Sequence, residues 1–294
     1  MLLLLRAHVA LSIFSLFVSL PLAAGAQETP PLETPSPAPG ATDGGARATN
    51  KAPGDESGAG ASAASAAPGD EALAREIVER ADAVRFPSES FQVDVTVEST
   101  SGGETLEPRV YRVSSKGNEN TIVQTLAPAN ERGQNMLMRA RELWIFMPSV
   151  SQPVRLSLSQ RLTGQVANGD LARANFAGDY DPTLVGSETI DGDEYHVLEL
   201  VAARRGVTYP RVKYWVRKSN LHPFKAEFYS VSGRLLKTCS YEAFEKLGAQ
   251  VRPTRLVLTD ALKPADVSVM KYSNLRLVEL PDRFFTKDYM KRLD

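Results

Sequence analysis

Residues 130–186 have the sequence NERGQNMLMRARELWIFMPSVSQPVRLSLSQRLTGQVANGDLARANFAGDYDPTLVG, and this segment decides the fold of the chain. It begins with two apolar runs, 134–139 and 142–147, whose side chains alternate with a period of two, and a short basic run at 154–157 follows. Such alternation predicts β-strands. Residues 159–177 lose it, so the sequence predicts strands on both sides of one insertion of a different kind.

The alternation extends over most of the chain after residue 90. Turn signals separate the runs, and the strongest is Asp191-Gly192, because both central residues of a type I′ turn need positive φ. Many short strands joined by tight turns predict an antiparallel meander that curls into a barrel or half-barrel. The predicted strands are Phe91–Glu98, Arg109–Ser115, Asn120–Leu126, Gln134–Arg139, Glu142–Met147, Val154–Ser157, Leu184–Ile190, Tyr195–Val201, Arg211–Arg217, Pro223–Val231, Leu235–Phe244, Thr254–Asp260 and Val267–Leu277.

Helices are predicted at both ends of this β region. Glu71–Val84 carries apolar residues at helical spacing and follows Gly69-Asp70, which we expect to cap it. Arg283–Leu293 predicts a short terminal helix. Residues 71–294 are enough for one domain with a sizeable core.

The insertion predicts a short, broken helix. Leu162 and Val166 are spaced i, i+4, and Asp170 can cap a helical turn over 171–176. An ordinary connecting loop explains this pattern, and the functional alternative is a lid over the open face of the sheet. The candidate lid residues are Leu162, Val166, Leu171 and Phe176.

The first 70 residues predict targeting and a tether. Residues 1–26 have Arg6, an apolar core and the site Ala24-Gly25-Ala26, which together predict a cleaved secretory signal. A membrane anchor is the alternative. Residues 27–70 are rich in Pro, Ala, Gly and Ser and lack aromatic residues, so we expect a disordered linker. If the signal is cleaved as predicted, we expect the exported protein to be periplasmic.

Catalytic and metal-binding patterns are absent from the sequence. Cys239 is the only cysteine, and its alternating run predicts burial as a small hydrophobic residue. His196 and His222 lack metal-ligand spacing, so we expect no metal site, no cofactor and no enzyme activity. Residues 71–294 carry 31 basic and 29 acidic side chains, a balance that gives no support to nucleic-acid binding.

Apolar residues are the remaining candidates for function. The run 142–147 is apolar on both faces, as a strand covered on both sides would be, and one side could line a ligand cavity. A core strand packed on both sides is the alternative. The candidate cavity residues are Met136, Met138, Trp144, Phe146, Tyr214 and Phe228. Arg155 and Arg161 flank the start of the insertion, where they are either solvated charges or contacts for lipid head groups or an acidic partner.

The ordered set of Arg132-Gly133, LWIFMPS, the basic PVR strand and GQVANGDLARANFAGDY resembles the LolA-like family of outer-membrane lipoprotein-sorting proteins. The turn at Asn168-Gly169-Asp170 is a variant of that family's pattern. The resemblance implies a mainly β fold, an open antiparallel half-barrel with an N-terminal helix and a short helical lid.

The resemblance also implies a function. A protein of this family would be a monomeric carrier that takes the acyl chains of lipoproteins or lipids from an inner-membrane transporter towards the outer membrane. One alternative is a non-catalytic accessory subunit of an envelope transporter, and another is a hydrolase of envelope material that depends on His196 or His222.

Overall fold

A computed structural model describes residues 68–173 and 175–293 of the chain. Its helices are α1 (Pro68–Arg85), α2 (Asn168–Ala172), α3 (Phe176–Asp179) and α4 (Lys287–Met290). Its strands are β1 (Phe91–Ser101), β2 (Glu104–Thr105), β3 (Arg109–Lys116), β4 (Asn120–Ala127), β5 (Asn135–Arg139), β6 (Glu142–Phe146), β7 (Val154–Leu156), β8 (Arg161–Thr163), β9 (Val166–Ala167), β10 (Tyr180–Ile190), β11 (Asp193–Ala202), β12 (Arg211–Arg217), β13 (Pro223–Tyr229), β14 (Leu235–Leu247), β15 (Gln250–Asp260) and β16 (Val267–Leu277). Single 3-10 turns lie at Ala129–Glu131 and Asp282–Phe284.

Thirteen strands form one antiparallel sheet in the order β10-β11-β12-β13-β14-β15-β16-β1-β3-β4-β5-β6-β7, and β2 adds a short hairpin to β1. Each predicted strand coincides with one of these thirteen, which confirms the predicted meander. At the Asp191-Gly192 turn both residues have positive φ, and Ile190 pairs with Asp193 across it. The sheet is open, with β10 at one edge and β7 at the other.

The insertion joins the two edges of the sheet. Between β7 and β10, the described residues 157–173 and 175–179 cross one face of the sheet, and Asp179 leads directly into β10. We call this segment the inner cover and the face beneath it the inner face. Because every other connection joins neighbouring strands, the inner cover is the one element that spans the opening of the half-barrel in the described part of the chain.

The inner cover differs in detail from the predicted broken helix. Leu162 and Val166 lie in the small hairpin β8–β9, not on one helical face. Asp170 is inside α2, where its carboxylate accepts a hydrogen bond from the backbone N–H of Ala167 at 2.8 Å. The second turn, α3, is capped by Asn175, whose side chain accepts from the N–H of Gly178. The i, i+4 spacing of Leu162 and Val166 therefore did not indicate a helix, because Gly164 between them has positive φ and turns the chain back on itself.

Helix α1 packs on the inner face as well. Its buried residues Ala74, Ile77, Val78 and Ala81 repeat at helical spacing and join the main hydrophobic core. The helix begins at Pro68, so Gly69 and Asp70 lie within its first turn and are not the predicted cap. The main core therefore lies between the inner face, α1 and the inner cover.

The opposite, outer face of β4, β5 and β6 carries a second apolar cluster. Ile122 and Leu137 pack there against Leu280, Phe285 and Met290 from the end of the chain. We call residues 280–293 the outer cover. Its helix α4 is shorter than the predicted terminal helix.

The predicted signal peptide lies outside the described residues, and so does the predicted linker except for its last three positions, where α1 begins. Among the residues that are described, no helix combines the length and the apolar character needed to cross a bilayer.

Candidate functional site

A cavity of about 380 Å³ lies on the inner face between strands β3–β7 and the hairpin β8–β9. We call it the sheet cavity. Its apolar lining comes from successive strands and the hairpin: Tyr111, Met136, Ile145, Met147, Val154, Leu156 and Leu162. Polar residues complete the wall: Arg109, Thr125, Glu131, Gln134, Gln160, Arg161 and Asn168. Half of the fourteen lining residues are thus apolar, and the volume is within the range of small-molecule sites.

A second cavity of about 250 Å³ lies on the other side of the hairpin β8–β9. We call it the rim cavity. Val166 and Ala167 of the hairpin face Tyr209, Leu236 and Leu262 across it. Arg161 lines both cavities, so this guanidinium lies in the wall between them.

Deeper on the inner face, side chains fill the space under the inner cover. Tyr214 and Phe228 are buried there, and Phe176 of the inner cover packs edge-on against Tyr214 with ring centroids 5.3 Å apart. The cavities that remain beside Phe176 and Leu171 are about 30 and 20 Å³, the size of one water molecule. The inner cover is therefore closed over this part of the face.

A buried cation holds the middle of the inner cover. Lys237 points inward from β14, and its ammonium group donates to the carboxylate of Asp170 at 2.6 Å. Tyr209 donates its hydroxyl to the same carboxylate at 2.9 Å, and Tyr180 donates to the carbonyl of Tyr209 at 3.0 Å. Burial and the Asp170 charge raise the pKa of Tyr209 well above its usual value, so it remains a neutral donor.

A second ion pair fixes the end of the inner cover to the far strands. Arg173 and Asp179 form a buried bidentate pair. Arg173 also donates to the carbonyl of Ala140 at 2.8 Å, in the β5–β6 turn. Arg141 of that turn donates to the carbonyl of Gly178 at 3.3 Å. The guanidinium of Arg173 thus joins α2, α3 and a strand connection.

A third polar contact links the inner cover to α1. One oxygen of Asp82 accepts from Arg85 at 3.0 Å and the other from the backbone N–H of Ala177 at 2.8 Å. Burial raises the pKa of Asp82 to about 6, although both donors act in the opposite direction. Arg85 lies 4.2 Å from the ring centroid of Phe176, so its charge is covered by an aromatic face.

The tip of the hairpin β8–β9 is fitted to the strands below it. Gly164 has positive φ, and a side chain there would collide with Ser99 and Ser268. The N–H of Gln165 donates to the hydroxyl of Ser268 at 2.8 Å. Nearby, Arg109 donates to Thr163 at 3.1 Å while it pairs with Glu131 at 2.6 Å. These contacts position the wall between the two cavities.

The structure divides the six predicted cavity residues between two faces. Met136 and Met138 line the inner face with Tyr214 and Phe228, and the four belong to one core cluster. Trp144 and Phe146 belong to the cluster under the outer cover. The expectation that all six share one cavity is therefore corrected.

The reason for this correction is the register between β5 and β6. Met136 is paired with Ile145, and Leu137 with Trp144. Paired residues of neighbouring strands point to the same face, so Ile145 faces inward and Trp144 outward. The ring of Trp144 lies under Lys287 of α4, with 4.2 Å between the ammonium nitrogen and the ring centroid.

All four candidate lid residues lie on the inner cover and contact the main core, where Val166, Leu171 and Phe176 are buried and Leu162 is half-buried. Of the two arginines, Arg161 borders both cavities, whereas Arg155 forms an exposed ion pair with Glu142 at 2.9 Å.

Sequence reasoning missed the polar anchors of the inner cover. Lys237 lies two residues before Cys239 on the same strand face, and a lysine among inward-facing residues was a usable signal. No such signal marks Asp82 and Arg85 in the sequence, because charged residues on a helix are usually solvated.

The remaining reactive side chains are placed for packing. Cys239 is buried as predicted, and burial raises the pKa of its thiol to about 12. The ring of His222 stacks on Phe244 with centroids 4.6 Å apart. Within residues 68–173 and 175–293, no group of three or more His, Cys, Asp or Glu side chains is arranged to hold a metal ion.

Comparisons with known proteins agree with this architecture. A family model described only as an uncharacterized protein matches residues 117–292. A LolA superfamily protein from Nitrosomonas europaea has 58% identity and a TM-score of 0.71, and the match covers 74% of this chain and 98% of that one.

Two further crystal structures share the fold. A DUF1329 family protein from Desulfovibrio piger is 24% identical with a TM-score of 0.66, and covers 75% of this chain and 99% of its own. A domain described as an outer-membrane lipoprotein-sorting protein, from Vibrio parahaemolyticus, is 19% identical with a TM-score of 0.66. The match covers 76% of this chain and 100% of that one. Curated proteins give no significant match.

Proposed function

The chain belongs to the LolA superfamily, and from that membership and the geometry of the inner face we propose that it is a periplasmic carrier of acyl chains. The cargo is a lipid or an acylated lipoprotein, held without catalysis and passed towards the outer membrane. An inner-membrane transporter is the expected donor. The observation that carries the proposal is the sheet cavity, a space of about 380 Å³ with a continuous apolar wall and a polar remainder, under a cover that joins both edges of the sheet.

The energetics of such a site need only apolar surface. Each methylene group of an acyl chain that leaves water contributes about 0.8 kcal/mol. Burial of about ten methylene groups would then supply about 8 kcal/mol, which corresponds to micromolar affinity before ordering costs. Met136 and Met147 suit this use because a flexible thioether adapts to varied apolar shapes.

Room for longer chains comes from the inner cover. Phe176 lies on Tyr214, and Leu171 lies beside Val93 and Val113, so displacement of the inner cover would extend the sheet cavity across the inner face. The closed position of the inner cover is defined by the ion pairs Asp170–Lys237 and Arg173–Asp179 and by the hydrogen bond from Ala177 to Asp82. Cargo binding then shifts the balance between a closed and an open position.

The test uses two neighbouring residues of one strand. Ile145 lines the sheet cavity and Phe146 lies under the outer cover. We expect Ile145→Glu to weaken binding of a fluorescent fatty acid at least tenfold, because it places a carboxylate in the apolar wall. Phe146→Glu is the matched control and leaves the affinity unchanged, provided that circular dichroism shows both variants folded.

Native mass spectrometry of the full chain, expressed with its own leader and recovered from the periplasm, completes the test. A co-purified acylated species that is lost in Ile145→Glu supports the carrier. A protein that carries no lipid and binds no fatty acid contradicts it, and an accessory role in a transporter would replace it.

A further inference from the structure

Three strand connections come together at one end of the sheet. Residues 203–210 join β11 to β12, residues 230–234 join β13 to β14, and residues 261–266 join β15 to β16. Alternate connections of an antiparallel meander lie at the same end. The rim cavity takes one wall residue from each, Tyr209, Arg234 and Leu262, so the three are neighbours. We call these three connections the rim.

The tips of two rim connections are apolar and project into solvent. Val231 is 91% exposed and Leu262 is 72% exposed, the two highest values among the large apolar side chains of the described residues. Single exposed apolar residues are common on protein surfaces. Here two of them lie at the tips of neighbouring connections, beside a cavity, which makes this end of the sheet a candidate interaction surface.

The same connections carry cations that lack carboxylate partners. Arg204, Arg205, Arg234 and Lys263 are exposed, and within the described residues none has a carboxylate at ion-pair distance. The single acid in these connections, Asp266, is buried and accepts from the N–H of Gly102 at 2.7 Å. The three connections therefore expose four cations and bury their one acid. Two carboxylates lie close by: Asp260 lines the rim cavity with Arg234, and the exposed Glu104 is in the hairpin that contacts Asp266.

On the strands that lead to the rim, several cations are paired with carboxylates. On their outer surface, Arg211 pairs with Glu199 at 2.6 Å and Lys225 with Glu227 at 3.0 Å. At the other end of the same strands, Lys218 pairs with Glu194 at 3.7 Å. Exposed cations without a carboxylate partner thus accompany the apolar tips at the rim; others, such as Arg139 and Lys246, lie elsewhere on the described residues.

We propose that the rim docks on the surface of an anionic phospholipid bilayer. Val231 and Leu262 enter the head-group region, while Arg204, Arg205, Arg234 and Lys263 contact lipid phosphates. Isolated protruding side chains suit a deformable bilayer surface better than a protein surface, which needs a continuous complementary patch. Two small apolar tips give weak, reversible attachment, and the cations supply most of the affinity. This proposal is independent of acyl-chain carriage.

Flotation of the full chain with vesicles tests the proposal. We expect binding to vesicles of phosphatidylcholine with one part in three phosphatidylglycerol, and little binding to phosphatidylcholine alone. Since each cation near an anionic surface contributes about a fivefold change, replacement of all four by glutamine should lower the affinity more than a hundredfold. The double variant Val231→Ser, Leu262→Ser should lower it about tenfold.

Matched changes at the other end of the sheet provide the control. Val251 is 49% exposed and Lys246 is exposed nearby, so Val251→Ser with Lys246→Gln should bind vesicles as the unchanged protein does. Ile145→Glu should also keep vesicle binding, which separates docking from lipid uptake into the sheet cavity. Equal binding to neutral and anionic vesicles, or full binding by the four-glutamine variant, would overturn the proposal.

Discussion

Strands β5 and β6 are apolar on both faces, but the two faces are covered in different ways. The outer cover packs Leu280, Phe285 and Met290 on its face, and Asn135 holds it by donating to the carbonyls of Met290 and Leu293 at 3.2 and 2.6 Å. The inner cover lies over Met136 and Ile145 but leaves the sheet cavity between them and its hairpin. Buried ion pairs fix its position.

The difference indicates two kinds of cover. Apolar packing of large side chains is lost only at a high free-energy cost. A buried ion pair contributes little net stability compared with an apolar replacement, but it sets one position and opposes others. The inner cover also packs apolar side chains, but it depends in addition on such pairs and lies partly over unfilled volume. We therefore expect it to be displaced more readily than the outer cover, which is held by packed aromatic and aliphatic groups. The inner cover therefore suits a moving part and the outer cover a fixed one.

Phe285→Ala should have the largest effect on stability. Phe285 is buried at the centre of the outer cover, and truncation of a buried phenylalanine costs about 3–5 kcal/mol. Urea unfolding followed by circular dichroism should show this loss, while the affinity of the folded protein for a fatty acid stays unchanged. Phe284→Ala, at a less buried neighbour, should cost less than half as much. A parallel loss of fatty-acid affinity would show that the two faces are not independent.

Asp170→Asn should have the next largest effect, a loss of about 3 kcal/mol in the free energy of unfolding. The change removes the partner of Lys237 and leaves a buried ammonium group without a counter-charge. Hydrogen exchange should accelerate in residues 157–179 and remain slow in the outer cover. Glu142→Gln, which removes the exposed partner of Arg155, is the control and should change the free energy of unfolding by less than about 1 kcal/mol. Equal acceleration in both covers would contradict the distinction between them.

The sequence predicted the strands well because alternation and turn residues are local. All thirteen strands, the Asp191-Gly192 turn and the burial of Cys239 follow from residues within a few positions of one another. Alternation also showed that Trp144 and Phe146 share a face. It could not show which face is concave, because that depends on the register between strands.

The polar anchors of the inner cover depend on contacts between distant parts of the chain. Lys237 and Asp170 are 67 residues apart, and Asp82 and Ala177 are 95 apart. No local pattern relates such positions. The insertion was correctly predicted as an interruption of the meander, but its hairpin β8–β9 has only a few residues in each strand, too short for alternation to be recognised.

The buried carboxylate of Asp82, which contacts the inner cover at Ala177, should make the free energy of unfolding depend on pH. Its pKa is raised from 3.8 to about 6 in the folded protein, so the stability it contributes is fully present below about pH 4 and is lost as the pH rises through 6. Relative to Asp82→Asn, the unchanged protein should therefore lose about 2 kcal/mol of unfolding free energy between pH 4 and pH 7. Urea unfolding at several pH values measures this difference. A difference that stays constant or grows with pH would contradict the assignment.

The smallest expected effect separates the two arginines at the start of the inner cover. Arg161 lies in the wall between the cavities, whereas Arg155 is engaged by Glu142 on the exposed side of β7. Arg161→Gln should weaken binding of a fatty-acid carboxylate about fivefold, the effect of one exposed charge contact of about 1 kcal/mol. Arg155→Gln should leave it unchanged. The Arg161 effect should shrink as salt is added and vanish for a fatty alcohol of the same length, since it depends on charge. Equal effects of the two substitutions on the carboxylate probe would mean that the head group does not lie beside Arg161, and a loss of fatty-alcohol binding would mean that Arg161 shapes the cavity wall and does not act by its charge.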